Sequence, residues 1–215
     1  MKLREYQNNI AIQAADKLTA FGCCYLSMEC RTGKTLTALS AADKFKAKSV
    51  LLITKLKAIP SIKNDYIALH PSFKLDVINY ESAHKVTGKY DLVIIDEAHS
   101  LGAYPKPSKR TQEIRTICEG SPVLYLSGTP SPESYSQLYH QFWVCSKSPW
   151  KNYKSFYKWA KEYVYTRQKK VNGYLINDYS CANKPKIDND TRNLFISYSQ
   201  EQAGFEVNIN EHILQ

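Results

Sequence analysis

No apolar run in this 215-residue chain approaches the roughly 20 residues that a membrane-spanning helix needs. That absence excludes a helical membrane protein and leaves no membrane partner to expect. The N-terminal stretch Met1-Lys2-Leu3-Arg4-Glu5-Tyr6-Gln7 lacks the apolar centre of a secretion signal. The six cysteines, Cys23, Cys24, Cys30, Cys118, Cys145 and Cys181, include no Cys-x-x-Cys pair, and no Cys/His spacing suits a zinc site. Free buried thiols in a reducing compartment are expected, so the localisation reads as cytoplasmic, or host cytoplasm for a viral protein. There are no internal repeats and no low-complexity tracts. Acidic residues are scarce: 20 Asp and Glu stand against 29 Lys and Arg, a net charge of +9. Such an excess points to a polyanionic partner, nucleic acid first, although a basic surface also serves solubility alone.

What the chain does contain is a series of short apolar runs. Cys23–Met28, Ser49–Thr54, Leu75–Asn79, Leu92–Ile95 and Val123–Leu126 read as strands without polar alternation, as expected when both faces are covered. Between them, residues 4–20, 35–46, 58–69, 108–119 and 133–143 read as helices. Strand–helix alternation of this kind predicts an α/β fold with three layers around a mostly parallel sheet. The composition shifts near Ser146, predicting a domain over 1–145 and an extension over 146–215. Within 151–170, seven lysines and arginines face the single acid Glu162. Phe156, Trp159 and Tyr163 fall on one helical face, which favours packing over base stacking. Lys154, Lys158 and Lys161 suit phosphate contact and plain solvation equally. Lys169–Ile176 reads as a hairpin turning at Asn172-Gly173.

Two constellations carry chemistry. Arg31-Thr32-Gly33-Lys34-Thr35 lies between a predicted strand and a predicted helix, the place of a phosphate-binding loop. Gly33 lets the backbone approach phosphate oxygens, the amides of residues 31–35 point inward at a helix N-terminus, Lys34 adds a charge, and the Thr35 hydroxyl suits magnesium. One departure is Met28, which stands where such loops begin with glycine. The second is Leu92–Ile95 running into Asp96-Glu97-Ala98-His99. A given four-letter string occurs in on the order of one in a thousand chains of this length, so context must supply its meaning. The strand end suits a metal-holding Asp96 beside a water-orienting Glu97.

Taken together, these motifs resemble the first RecA-like domain of superfamily 2 helicases and translocases, most closely the Swi/Snf-type branch. Leu3-Arg4-Glu5-Tyr6-Gln7 resembles that family's adenine-sensing segment. Val50–Lys57 resembles motif Ia, and Ile78-Asn79-Tyr80-Glu81-Ser82 the next nucleic-acid-facing motif. Asp96-Glu97-Ala98-His99 is similar to motif II, the DEAH box, and Ser127-Gly128-Thr129-Pro130 to motif III. The signatures keep the family's order over residues 3 to about 142.

The resemblance implies an N-terminal ATP-binding half of a nucleic-acid-dependent ATPase with ATP and Mg2+ as cofactors. Gln7 would read the adenine, Arg31 to Thr35 would hold the phosphates, and Thr35 and Asp96 the magnesium. Lys34, Asp96 and Glu97 would serve catalysis. His99, Ser127 and Thr129 would couple the nucleotide to the nucleic-acid side, where Lys55, Lys57, Tyr80, Ser82 and Thr129 would meet the backbone. DNA is favoured over RNA, and the chain is expected to be monomeric. Each piece also has a plain reading: Gln7 as a surface helix residue, His99 as a loop histidine, Ser127–Pro130 as a turn. The family further needs an arginine from a second RecA-like domain, for which residues 143–215 are too few. Leu194–Tyr198 reads as a docking strand toward that absent half. Two other functions remain open: a non-catalytic nucleic-acid-binding module with a vestigial nucleotide site, and, less favoured, a small P-loop kinase, which would need an arginine-bearing lid and a nucleoside pocket near residue 100, where Gly102–Arg110 is Pro- and Lys-rich and reads as a loop.

Overall fold

The computed structural model describes residues 3–204. Its elements, in chain order, are α1 (Glu5–Phe21), β1 (Cys23–Met28), α2 (Lys34–Lys44), β2 (Ser49–Thr54), α3 (Ile59–Leu69), β3 (Lys74–Asn79), β4 (Leu92–Asp96), α4 (Lys109–Ile117), β5 (Val123–Ser127), α5 (Gln137–Trp143), α6 (Phe156–Tyr163), β6 (Arg167–Val171), β7 (Tyr174–Asp178), α7 (Lys184–Thr191) and β8 (Phe195–Tyr198). Six strands form one sheet in the order β3-β2-β4-β5-β1-β8, and every pairing in it is parallel.

The strands read as unbroken apolar runs because successive side chains go to opposite faces and both faces are covered. On one face Cys24 and Leu26 of β1, Leu52 of β2, Ile94 of β4 and Leu124 of β5 pack with Leu18 of α1, Leu39 of α2 and Ile62 of α3. On the other, Tyr25, Ile53, Ile95 and Tyr125 pack with Ile114 of α4, Phe142 of α5 and Trp159 of α6. The result is the three-layer α/β architecture of a RecA-like domain. Helix α1 buries Gln7, Ile10, Ala11, Ala14, Ala15 and Leu18 at three- and four-residue spacing. It stops at Gly22, whose left-handed φ of 71° returns its N–H to the Leu18 carbonyl at 2.9 Å.

In the C-terminal part, Trp150, Phe156, Trp159 and Tyr163 belong to the same buried cluster as β1, β4 and β5. The segment Leu194–Tyr198, expected as a docking strand, supplies β8 of this sheet, which pairs with β1 from Tyr25↔Phe195 to Met28↔Tyr198. A stack of the Tyr25 and Phe195 rings, 4.6 Å apart at 11°, fixes that register. Helix α5 also starts at Gln137, four residues later than expected, because residues 133–136 form a tight loop on hydrogen bonds to Gln137 and Ser134. The predicted hairpin is present over Arg167–Asp178 as a separate two-stranded ribbon. All six cysteines are free, with four of them buried.

Candidate nucleotide-binding site

Because β1, β4 and β5 are adjacent and parallel, the loops leaving their carboxyl ends meet at one sheet edge, where open α/β sheets place ligands. The loop after β1 runs from the fully buried Met28 through Glu29 to Gly33. Met28, which stands where such loops begin with glycine, is the last residue of β1, and the turn falls between Glu29 and Gly33. Arg31 and Gly33 supply it with φ of 64° and 81°. Gly33 is the N-cap of α2 and offers no side-chain cap to the amides behind it, which leaves these donors for an anion. The φ of Gly33 disfavours any side chain there, and a Cβ would also lie 2.1 Å from Gln7 Nε2, so the Gln7 carboxamide would have to leave its place.

Gln7 is buried against this loop rather than displayed on a helix surface. Its Nε2 donates to the Thr32 carbonyl at 3.3 Å, and its Oε1 accepts from the Arg4 N–H at 2.9 Å. Nε2 thus splices α1 to the loop after β1, while Oε1 caps the start of α1 itself. Tyr6, which the sequence did not single out, donates from its hydroxyl to the same Thr32 carbonyl at 2.9 Å and stacks on Tyr198 of β8 at 4.5 Å. Thr32 is buried and donates to the Glu29 carbonyl at 2.7 Å. Lys34 Nζ donates to the same carbonyl at 3.2 Å, and Thr35 follows it in the first turn of α2.

Asp96 closes β4, and its Oδ2 accepts from the Thr54 hydroxyl at 2.7 Å. Burial pushes the Asp96 carboxyl above the ordinary carboxylate range. The Thr54 hydroxyl opposes that rise, the Glu97 charge adds to it, and Lys34 pulls it back, so Asp96 and Lys34 lie within electrostatic reach. Thr54 was missed in the sequence, yet the register Ile53↔Ile95 between β2 and β4 places it beside Asp96. Glu97 adopts a left-handed φ of 53°, uncommon for a residue with a side chain and found most often at functional turns. From there its Oε2 reaches 3.3 Å from His99 Nδ1. His99 Nδ1 is also 2.9 Å from Ser127 Oγ, which accepts from the Thr129 N–H at 3.1 Å. Glu97, His99, Ser127 and Thr129 therefore form one line of contacts from the end of β4 to the exposed turn after β5.

Of the residues expected to face nucleic acid, Lys55, Lys57 and Thr129 are exposed and Ser82 is half-buried. They follow β2, β5 and β3, at the same sheet edge. Tyr80 is different: it is 3% exposed, its hydroxyl donates to the Asp96 carbonyl at 2.5 Å, and the Arg110 guanidinium sits 4.8 Å over its ring. Its side chain braces the strand end from behind and does not offer a surface contact, because an aromatic ring gains more by burial here than by exposure. On α6 the aromatics Phe156, Trp159 and Tyr163 are buried, while Lys158, Lys161 and the preceding Lys154 are exposed. Residues 102–108, where a kinase reading needs a lid, form a loop leading into α4.

Among the described residues, no group of three His, Cys, Asp or Glu side chains converges on a metal position, and no helix is long and apolar enough to cross a membrane. No curated protein matches the chain. A family model described as the SNF2-related domain matches residues 7–179, from the glutamine spliced to the phosphate loop to the tyrosine at the foot of β7, and the chain belongs to that family.

Proposed function

We propose that the chain is the N-terminal ATP-binding half of a nucleic-acid-dependent ATPase, a helicase or double-stranded DNA translocase that couples ATP hydrolysis to movement on DNA. The observation that carries this reading is the line Glu97–His99–Ser127–Thr129, with separations of 3.3, 2.9 and 3.1 Å. It joins the carboxylate that follows β4 to an exposed residue at the sheet edge where Lys55 and Lys57 stand.

The donor set fits Mg-ATP. The uncapped amides at the start of α2 and Lys34 would hold the phosphates. The Thr35 hydroxyl and the Asp96 carboxylate would hold magnesium, an ion that takes few protein ligands and keeps several waters. Bound magnesium would neutralise charge on the phosphates. Glu97 would orient and deprotonate the attacking water. Gln7 would meet the adenine with the second N–H and the second lone pair that its carboxamide keeps beside its two internal bonds.

The arginine that phosphoryl transfer needs in this family would come from a second RecA-like domain. ATP turnover should be measured, with and without duplex DNA, on the chain extended through such a domain. DNA should raise the rate, and Glu97→Gln should abolish it; retained turnover in that variant would mean that Glu97 is misassigned. The present chain alone should bind ATP weakly and turn it over slowly, and a rate on the order of 1 s⁻¹ or faster would refute the requirement for a second domain.

A further inference from the structure

Among the described residues, strands β6 and β7 form a ribbon that joins no other sheet. Its register runs from Arg167↔Asp178 to Val171↔Tyr174 around the Asn172-Gly173 turn. Every residue of β6 is exposed, as are four of the five in β7. Tyr174 is 76% exposed and Leu175 69%, at the tip. A two-stranded hairpin without a core to cover one face is marginal in water. Leaving aliphatic and aromatic side chains on such a ribbon signals a contact surface.

The charge identifies the partner. From residue 167 to 177 the ribbon carries Arg167, Lys169 and Lys170 and no acid. Asp178 stands at the base and pairs with Lys169 at 3.4 Å. Cross-strand partners share a face, so Lys169 lies beside Ile176 and Lys170 beside Leu175. Cations interleaved with apolar side chains on both faces suit a polyanion with an apolar interior better than they suit an apolar protein groove.

The ribbon is anchored rather than loose. Val164 and Ala182 bridge below it, and the Tyr165 N–H donates to the Cys181 carbonyl at 2.9 Å. The Ser134 and Ser136 hydroxyls each donate at 2.6 Å, to the carbonyls of Ser180 and Tyr179. Those serines belong to the loop that leaves Thr129-Pro130, so the ribbon grows from the far end of the nucleotide-side line of contacts.

We propose that the β6–β7 ribbon is a duplex-DNA contact element that enters the major groove tip first, with Arg167 and Lys169 on one face and Lys170 on the other reaching the phosphates, and with Tyr174 and Leu175 at the tip against base edges. The proposal rests on the nucleic-acid reading above and names a surface for it. Two strands about 4.8 Å apart, each about 17 Å long, match a B-form major groove of about 12 Å, which admits a two-stranded ribbon. The A-form major groove is too narrow to be read this way. Single strands are gripped in grooves, which a ribbon open on both faces does not provide.

The test uses the whole chain and a labelled 20-base-pair DNA duplex, with the matching single strand and an RNA duplex as further arms, read by fluorescence anisotropy across a salt series. Arg167→Gln/Lys169→Gln/Lys170→Gln should lower affinity for the DNA duplex more than tenfold at low salt and flatten the log–log salt slope by about 2–3, near 0.9 per phosphate contact. Tyr174→Ser/Leu175→Ser should lower it about fivefold with the slope unchanged. Thermal unfolding should be unaltered in both, since the ribbon is outside the core. If both variants bind the DNA duplex within twofold of the parent, the ribbon proposal is overturned and the nucleic-acid reading stands. Equal losses on the RNA duplex or the single strand would overturn the groove seating. A parent chain with no measurable affinity in any arm would overturn both. Loss of duplex binding in the variants, together with an extended chain whose ATPase ignores DNA, would support the ribbon and reject the motor reading.

Discussion

Thr54→Val is the sharpest probe of the strand-end chemistry. The two side chains have nearly the same shape, Thr54 is fully buried, and its hydroxyl donates to Asp96 Oδ2 at 2.7 Å. The substitution therefore removes one donor from a mostly buried carboxylate and opens little space. Hydrogen bonds to charged groups contribute about 1.5–3 kcal/mol. Asp96 keeps some contact with solvent, which favours the lower half of that range, about 1.5–2 kcal/mol. For a domain of this size that is a loss of about 3–8 °C in Tm. The pH dependence follows from the direction of the shifts. Burial raises the Asp96 carboxyl and the Thr54 hydroxyl opposes the rise, so removing Thr54 raises it further. A carboxyl whose folded pKa is raised contributes stability that is complete in acid and lost as pH rises through that folded value. The variant's higher folded value carries that loss to higher pH and makes it larger, so its deficit should be largest near pH 7–8 and shrink as Asp96 is protonated in acid. Urea unfolding of parent and variant from pH 4 to pH 8 measures this. In an Asp96→Asn background the same substitution breaks only a neutral bond and should cost about 0.5–1 kcal/mol. A pH-independent deficit, or an undiminished cost in the Asn background, would refute the assignment of Thr54 as the carboxylate's donor.

Gly33→Ala should abolish nucleotide binding, because φ is +81° and the new methyl would meet Gln7 Nε2 at 2.1 Å. The left-handed strain alone costs about 1–2 kcal/mol. Titration with a fluorescent ATP analogue checks this, and partial recovery in Gly33→Ala/Gln7→Ala would isolate the steric part. His140 is buried with Nδ1 2.6 Å from the Ala103 carbonyl, and burial lowers its pKa from 6.5 to about 4 against that bond's opposing pull. A histidine depressed in this way contributes stability above its unfolded pKa and loses it as pH falls toward the folded one. Unfolding free energy should thus drop by roughly 3 kcal/mol between about pH 6.5 and 4, and His140→Gln should flatten that decline. Equal acid slopes in parent and variant would reject the assignment.

The central strands were legible because a parallel sheet covered on both faces writes itself as uninterrupted apolar runs, and Ser49–Thr54 and Val123–Ser127 do so without ambiguity. The loops at the carboxyl ends were legible for a different reason. Gly33-Lys34-Thr35 and Asp96-Glu97 are short, local, and chemically distinctive. Their meeting required only that β1, β4 and β5 be parallel neighbours. The aromatics of α6 could be assigned to packing from the spacing of Phe156, Trp159 and Tyr163, since an apolar stripe at three and four residues is what a buried helix face looks like.

Other features resisted reading because they depend on partners distant in the chain. Nothing in Phe195–Tyr198 distinguishes a docking strand from the edge strand it becomes; that choice lies in Tyr25, some 170 residues earlier, whose ring offers Phe195 a stacking partner. Tyr80 was expected at the surface because Ile78–Ser82 resembles a nucleic-acid-facing motif. It is buried because the turn after β3 brings its hydroxyl to the Asp96 carbonyl, a contact set by the β3-β2-β4 order. Gln7 shows the same limit from the other side. A carboxamide can satisfy a base edge or a backbone equally well, and only the 3.3 and 2.9 Å bonds to Thr32 and Arg4 show which partners it holds. In all three cases the residue type admitted two environments of similar free energy, and long-range topology chose between them. The meeting of these motifs at one sheet edge could therefore be read from the sequence, whereas the supports that hold them in place, Thr54, Tyr80, Gln7 and β8, required the sheet order.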